Sequence, residues 1–472
     1  MKVYVSLVPR SMDEALSMLR VHGKRVDLVE LRVDGIDDLH LAKLLKQPRP
    51  KLIITNRRES EGGSFTGSKA EQFEILSTAM KLGVEYIDVE YSWGKSFVRE
   101  LLKHRGSTKI IVSYHDFFQT PSSLRDKYQL MVNTGGDIVK IVTMASDITD
   151  NKEIFDLIKE AKSKKQKLIA HCMGEKGQIS RILSEKYDGF LTYAAPDTDR
   201  TTAPGQLTLS DLQKIYRVHT LNSSTKIFGL VGNPVAQSKG IYYHNRIFKR
   251  RDINAVYVNF LVDDLPSFIS TFKSEVTGLS ITMPFKHSIV PMLDSVEDEA
   301  ASLGLVNTVL RKNNKLIGMN TDLPAIESIL SRKVKPRGKH VLVLGTGATA
   351  KTMAYVALKL GAAVTIIGRS FEKTKTLAKE VGCHCATLDE LRNIKADIII
   401  NATPVGMENQ QNIQLVPKKY LRSQMIVFDA VYNPPMTPLL LNAQAQGCKI
   451  ISGLEFFQLQ AHHQSKLFLQ VC

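Results

Sequence analysis

Short runs of apolar, often β-branched residues recur through the first 200 residues, at Val3–Val8, Val26–Val33, Leu52–Thr55, Tyr86–Glu90, Ile110–Ser113, Ile138–Val142, Leu168–His171 and Phe190–Tyr193. Between them the apolar positions change to helical spacing, as in Leu39, Leu41, Leu44, Leu45 and again in Ile154, Leu157, Ile158, Ala161. Strands alternating with helices predict βαβ units and a parallel sheet. Eight strands with continuous apolar runs point to a closed (β/α)8 TIM barrel, with a doubly wound open sheet as the alternative. The polar stretch Val218–Lys226 then reads as a linker. After it the alternation restarts at Ile227–Gly232, Val256–Val262 and Leu279–Thr282. A third block begins at His340 with a strand, a glycine-rich turn, a helix to Leu360 and the strand AVTIIGR, followed by strands at Asp397–Asn401 and Ile426–Asp429. That order is Rossmann-like.

Composition narrows the class. At roughly 100–200 residues per domain, a chain of this length holds two to four domains. A content of 43% hydrophobic and 23% charged residues excludes a disordered or fibrous chain. Five cysteines in 472 residues exclude a disulfide framework and favour a reducing compartment. No apolar run approaches the length of a membrane span. The opening MKVYVSLVPR reads as a strand rather than a signal or transit peptide, so a cytoplasmic location is expected. The net charge of +16 is dispersed apart from short runs such as Lys249-Arg250-Arg251. A nucleic-acid surface wants clustering along one face. A solvated basic surface, or a field that draws in anionic small molecules, fits better.

In a barrel the chemistry lies at the carboxyl ends of the strands. There the chain carries Glu30, Arg32, Arg57, Glu61, His115, Lys140, Arg181, Thr202 and Gln206. Lys140 sits inside Ile138-Val139-Lys140-Ile141-Val142, where an ammonium would be poorly solvated. Desolvation favours the free amine that attacks a ketone to form a Schiff base. His115, on the adjacent predicted strand, could remove the acidified C–H proton and later protonate a leaving hydroxyl, with Glu61 orienting its ring. A single lysine in a strand is also met as an edge residue or a salt-bridged core charge; convergence of the whole set argues for a site.

These residues, in the segments ELRVD, the arginine four before EGG, SYHD, DIVKI, MG…SR and APGQ, resemble type I 3-dehydroquinate dehydratase over roughly residues 1–215. The resemblance implies a dehydratase unit at 1–219, with Lys140 the Schiff-base lysine, His115 the general acid/base and Glu61 its partner. It implies substrate contacts from Glu30, Arg32, Arg57, Arg181, Thr202 and Gln206, the arginines including the grip on a carboxylate. Thr202 stands where many members have serine.

In the Rossmann-like block, Gly345-Thr346-Gly347-Ala348 follows a strand and opens a helix, the context pyrophosphate binding needs. The third glycine of the common fingerprint is absent. Where an acidic residue would favour NAD, the next strand ends in Arg369 and Ser370, with Lys373 beyond, which suit the 2′-phosphate of NADP(H). From about Lys226 onward the segments GNP…QSK, SITMPFK, VNT, GMNTD, NATPVGM, DAVY and Gly453 through Gln460 resemble shikimate dehydrogenase. That implies a unit at 225–472, made of a substrate domain (225–335), an NADP-binding Rossmann domain (336–450) and a C-terminal helix returning to the substrate domain (451–472). It implies Lys286 and Asp322 as the catalytic pair, with Ser238, Thr282, Asn307, Tyr432 and Gln460 on substrate. Asn401, Thr403 and Gly453 would join Gly345, Gly347, Ala348, Arg369, Ser370 and Lys373 around the cofactor. Physically, an ammonium such as Lys286 stabilises the negative charge that hydride delivery builds on a ketone oxygen. Gly240 replaces a second serine, which removes one possible contact to the substrate carboxylate.

Together the halves imply consecutive steps: dehydration of 3-dehydroquinate to 3-dehydroshikimate, then its NADPH-dependent reduction to shikimate. Alternatives are a quinate-preferring dehydrogenase in the second half, a Schiff-base aldolase fused to another oxidoreductase, and a basic scaffold on retired enzyme folds. The expected partners are the small-molecule substrates 3-dehydroquinate and 3-dehydroshikimate, with neither nucleic acid nor membrane. Cys383-His384-Cys385 is too tight for a tetrahedral site and His462-His463 cannot face one way on a helix, so no metal is expected.

Overall fold

The computed structural model of the chain describes residues 2–407, 410 and 413–472. The chain falls into two compact units, Met1–Gly229 with Asn245–Glu275, and Leu230–His244 with Val276–Cys472.

The first unit holds eight parallel strands: β1 (Lys2–Leu7), β2 (Leu28–Arg32), β3 (Lys51–Thr55), β4 (Tyr86–Glu90), β5 (Lys109–His115), β6 (Ile138–Met144), β7 (Lys167–Met173) and β8 (Leu191–Ala194). Their order is β7-β6-β5-β4-β3-β2-β1-β8, and the two ends meet where Phe190 N–H donates to Leu168 O, 2.9 Å. This is a near-closed barrel. Its helices lie outside because their apolar stripe has one place to go: Asp150–Ser163 buries Ile154, Phe155, Leu157, Ile158 and Ala161. Alternation along the strands stacks the interior in layers. An apolar plug of Leu28, Ile53, Ile111, Ile138, Ile169 and Leu191 fills the bottom. Two residues further along the same strands the inward positions turn polar, as Glu30, Thr55, Ser113, Lys140 and His171. The plug makes the polar layer the floor of a site open at the strands' carboxyl ends.

The stretch after the barrel is less of a free linker than its polarity suggests. Val218–Thr220 forms a turn of 3-10 helix, and Val218 and Leu221 are buried. Two apolar side chains in a polar run are enough to pin it, because burial rather than composition decides whether a connection is ordered.

Strand β9 (Lys226–Gly232) spans the division between the units, and β10 (Ala255–Leu261) belongs to the first. The second unit continues with β11 (Val276–Ile281), β12 (Ser295–Val296), β13 (Thr308–Lys312) and β14 (Lys315–Met319). Here β11 and β13, and β13 and β14, pair antiparallel, while β12 runs parallel to β14. The end of β9 lies beside β11, with Thr282 N–H donating to Val231 O at 2.9 Å.

A separate parallel sheet follows: β15 (His340–Leu344), β16 (Ala363–Ile367), β17 (His384–Ala386), β18 (Ile398–Asn401), β19 (Ile426–Asp429) and β20 (Lys449–Ile451), in the order β17-β16-β15-β18-β19-β20. The strand order reverses between β15 and β18, which opens the crevice a doubly wound sheet uses for ligands. The last helix, Gly453–Leu469, returns to the other sheet, where Gln464 donates to Thr308 Oγ1 at 2.8 Å and accepts from Ser280 Oγ at 2.6 Å.

Candidate active sites

All nine residues expected at the barrel mouth line one pocket: Glu30, Arg32, Arg57, Glu61, His115, Lys140, Arg181, Thr202 and Gln206. Lys140 stands on the floor, 4% exposed. Its ammonium is better held than burial in an apolar strand implies. Nζ donates to Glu30 Oε1 and Asp88 Oδ2, each at 3.0 Å, and lies 4.5 Å from the centre of the Tyr193 ring. The partners come from β2, β4 and β8, so no local spacing could announce them.

Asp88 is the hub. Its Oδ1 accepts from Arg57 Nη2 at 2.8 Å and Ser113 Oγ at 2.6 Å, while Oδ2 faces Lys140. Burial pushes this carboxyl up, but Arg57 and Lys140 overcome it and hold it down at about 2. Arg57 also pairs with Glu90 at 3.3 Å, and Arg32 makes a fork to Asp34 with two contacts of 2.6 Å. Both guanidinium groups therefore reach the pocket already committed to protein carboxylates. Arg181 differs. It is 1% exposed, and its Nε and Nη2 are buried without a partner. Burial pushes it down to about 10. A buried cation with unpaired donors is a socket for an anion.

His115 Nδ1 lies 3.1 Å from Glu61 Oε2, and Ser92 Oγ donates to the other Glu61 oxygen at 2.6 Å. Burial, then the Arg57 and Lys140 cations, push the imidazole well below its ordinary 6.5. Burial also pushes Glu61 up to about 7, against the opposing pull of Arg57 and Ser92. Glu61 thus stays poised to carry or release a proton beside an imidazole held toward its neutral form. A neutral imidazole is the form that takes a proton. Thr202 and Gln206 bond to each other in the loop after β8, through Thr202 N–H and Oγ1 to Gln206 Oε1 at 2.7 and 3.1 Å.

Sequence reasoning missed Asp88, Glu90, His171 and Tyr193. A signal existed for the first two: YIDVE places two carboxylates at alternate, inward positions of an otherwise apolar strand.

In the second unit, Lys286 Nζ donates to Asp322 Oδ2 at 2.6 Å. Lys286 follows β11, and Val306 N–H donates to its carbonyl at 2.8 Å. Asp322 opens the helix Asp322–Ile329, its N–H held by Asn320 Oδ1 at 3.0 Å. Asn307 Oδ1 receives Thr321 N–H at 2.8 Å, which ties the Asp322 loop to the strand edge. Ser238 Oγ and the Lys239 N–H hydrogen-bond the Tyr432 hydroxyl, whose burial pushes it up from its ordinary value. Gly240 N–H points at Ser238 Oγ, 3.2 Å. Thr282 ends β11. Gln460 is partly exposed on the last helix, and Gln464, one turn on, is the buried amide that ties this helix to Ser280 and Thr308. Nothing local in the sequence marked Gln464 as the residue that docks this helix.

Around the crevice of the Rossmann sheet, Gly345 has φ +121°, a conformation L side chains rarely adopt. Gly347 caps the helix Ala348–Lys359, whose first N–H groups face the turn. Ala350, at the third position of the fingerprint, is fully buried, so a methyl group fits where glycine is usual. Arg369 is exposed beyond β16, and Ser370 caps the next helix by accepting from Lys373 N–H. Asn401 Oδ1 accepts from Thr403 N–H and Oγ1 at 2.9 and 2.6 Å. Gly453 is buried, and a Cβ there would lie 2.4 Å from the carbonyls of Ala430 and Val431. Its lack of a side chain is explained by that close backbone approach. The crevice thus offers a helix N-terminus, an exposed arginine just past the strand end, and backbone room: residues that fit a phosphorylated dinucleotide.

Comparison with known proteins agrees with this geometry. The family model for type I 3-dehydroquinase matches residues 3–223. Those for the shikimate dehydrogenase substrate binding domain and for shikimate / quinate 5-dehydrogenase match 230–309 and 328–433. The chain is 37% identical to a chloroplastic bifunctional 3-dehydroquinate dehydratase/shikimate dehydrogenase of Arabidopsis thaliana, over 95% of this chain and 78% of that one. It is 30% identical to the shikimate biosynthesis protein AroDE of Chlamydia pneumoniae, over 94% and 90%. A crystal structure of shikimate dehydrogenase in complex with NADP+ shares 32% identity at a TM-score of 0.50, covering 53% of this chain and 92% of that one. The chain therefore belongs to the bifunctional 3-dehydroquinate dehydratase/shikimate dehydrogenase family, a shikimate-pathway enzyme that is a lyase in its barrel and an oxidoreductase in its second half.

Proposed function

We propose that Lys140 performs the dehydration through a Schiff base and that Lys286 with Asp322 manages the proton of the reduction. In the barrel, the Lys140 ammonium passes a proton to His115 and adds as the free amine to the ketone of 3-dehydroquinate; that proton, returned to the carbinolamine hydroxyl, lets it leave as water and leaves a protonated imine. His115, neutral beside Glu61, takes a proton from the adjacent carbon as the C–H electrons move into the imine. The enamine so formed expels the hydroxyl group, which leaves as water with the proton His115 returns. Hydrolysis of the remaining imine releases 3-dehydroshikimate and restores the lysine. Arg181 holds the substrate carboxylate, with Arg32, Arg57, Glu30, Thr202 and Gln206 shaping the rest of the pocket. The observation that carries this reading is the buried Arg181 guanidinium with unpaired donors, in the same pocket as Lys140 and the hydrogen-bonded His115–Glu61 pair.

In the second unit, Gly345, Gly347, Ala348, Asn401, Thr403 and Gly453 would cradle NADP(H), with Arg369, Ser370 and Lys373 on its 2′-phosphate. When bound, the reduced nicotinamide supplies the hydride. Lys286 stabilises the oxygen as it becomes negative and delivers its proton, while Asp322, 2.6 Å away, fixes the ammonium in place. Ser238, Thr282, Asn307, Tyr432 and Gln460 orient the ring. Five cysteines in 472 residues fit a reducing, cytoplasmic location.

One cuvette tests the scheme. Enzyme with 3-dehydroquinate should develop enone absorbance without cofactor, and added NADPH should then be consumed. Enone without NADPH consumption would overturn the second half of the proposal; no enone from folded protein would overturn the first.

A further inference from the structure

The dehydratase pocket has two unlike walls. On the side of β2 to β5 the charges are spent internally, Glu30 on Ser6, Thr55 and Lys140, and Asp88 on Arg57, Ser113 and Lys140. On the side of β7, β8 and the helix Gln178–Leu183, buried polar atoms stand without partners: Arg181 Nε and Nη2, His171 Nδ1 and the Tyr193 hydroxyl. Buried polar groups are expected to be hydrogen-bonded, and those that are not in a ligand site are completed by the ligand or by water.

His171 is, with Tyr193, a member of this wall that the mechanism above leaves idle. It is 2% exposed and lines the pocket. Its register partner on β6 is Val142, whose register partner on β5 is His115. The two imidazoles therefore flank the layer above Lys140, one on each side of β6, with their backbones about 10 Å apart. The ring is steadied edge-on by Tyr193, centroids 6.2 Å apart, the same ring that Lys140 faces. Burial, together with the Arg181 and Lys140 cations, pushes its pKa well below 6.5. A neutral imidazole carries one donor and one acceptor, so it serves a carboxylate and a hydroxyl at once without adding a charge.

We propose that His171 is a substrate-contacting residue of the dehydratase, hydrogen-bonding the α-hydroxy-carboxylate group of the substrate beside the carboxylate grip of Arg181. Arg181 supplies the charge; His171 supplies direction, fixing which face of the ring carbon meets Lys140 and His115. The inference rests on the barrel reading given under Proposed function.

The test is steady-state dehydratase kinetics of the full chain with His171→Leu and His171→Gln, with borohydride trapping of the Lys140 adduct and dehydrogenase activity read on the same preparations. His171→Leu should raise KM for 3-dehydroquinate about tenfold or more while kcat falls less than threefold, the size of one hydrogen bond to a charged group. His171→Gln should recover most of that loss, and the trapped adduct should still form at saturating substrate. A KM unchanged in His171→Leu would overturn the proposal, as would a loss shared equally by Leu and Gln. Should the leucine variant fail to fold, wild-type enzyme labelled at histidine Cε1 decides: the resonance absent from His171→Gln should move when 3-dehydroshikimate is added, and a stationary resonance overturns the proposal. Wild-type enzyme that yields neither enone nor adduct would instead sink the barrel reading itself.

Discussion

Replacing Asp88 by asparagine probes the charge balance under the catalytic lysine, because one fully buried carboxylate answers two cations. Asparagine keeps the shape and one acceptor, which suits Arg57 and Ser113, but turns an N–H₂ toward the Lys140 ammonium. Removing one partner of a buried ion pair costs roughly 3–5 kcal/mol when nothing else compensates. Here Lys140 retains Glu30 at 3.0 Å and Arg57 retains Glu90 at 3.3 Å, which softens the loss. Linkage gives a second figure. Lowering a carboxyl from 3.8 to about 2 corresponds to about 2.5 kcal/mol of stability. The sign follows from the depressed value: the contribution is present above the unfolded pKa and is lost as pH falls from about 4 through about 2. The expected deficit of Asp88→Asn is therefore about 2–3 kcal/mol at pH 7, a fall of about 5–10 °C in the melting of a unit this size. Scanning calorimetry of the full chain, with the barrel transition identified by its shift on adding 3-dehydroquinate, measures it. Dehydratase kcat should fall together with stability, since Lys140 loses one of the two groups that place it. Dehydrogenase activity should be untouched. A barrel transition that moves less than about 1 °C at pH 7 would refute the reasoning. So would a deficit that fails to shrink on acidification below pH 4.

Three further outcomes are expected. Lys140→Ala should abolish dehydration while leaving reduction of added 3-dehydroshikimate intact, read by NADPH consumption; loss of both would mean the two activities depend on each other. Arg369→Ala should weaken NADPH far more than NADH, by roughly tenfold or more in KM, since an exposed arginine on a phosphate contributes one charge-assisted contact; equal loss would remove the 2′-phosphate assignment. Asp429 is buried and pushed up to about 6 by that burial, against Thr437, the Val431 N–H and Asn401. A raised carboxyl stabilises the fold below its unfolded value and loses that contribution as pH rises through about 6, so Asp429→Asn should gain on wild type by up to about 3 kcal/mol between pH 4 and pH 7 in urea titrations. A gap independent of pH would contradict this.

The sequence by itself determined the architecture and most of the chemistry. Strand and helix periods are local properties of the chain, so eight apolar runs alternating with helical stretches announced the barrel, and a glycine turn between two apolar strands announced the Rossmann unit. Lys140 stood out for the same reason, as a charge inside an apolar run. What only the tertiary structure decided is which charges are already spent. Arg32, Arg57 and Arg181 look alike in sequence, yet Arg32 is forked to Asp34, Arg57 is held by Asp88 and Glu90, and Arg181 alone of the three keeps buried donors unpaired. The same holds for Lys140, whose partners lie 110 and 52 residues away, and for Gln464, whose buried amide is tied to Ser280 and Thr308 at separations of 184 and 156 residues. Pairing across a closed barrel depends on strand register and shear, and a helix's inward face depends on what it docks against; neither is written in any local stretch of the chain.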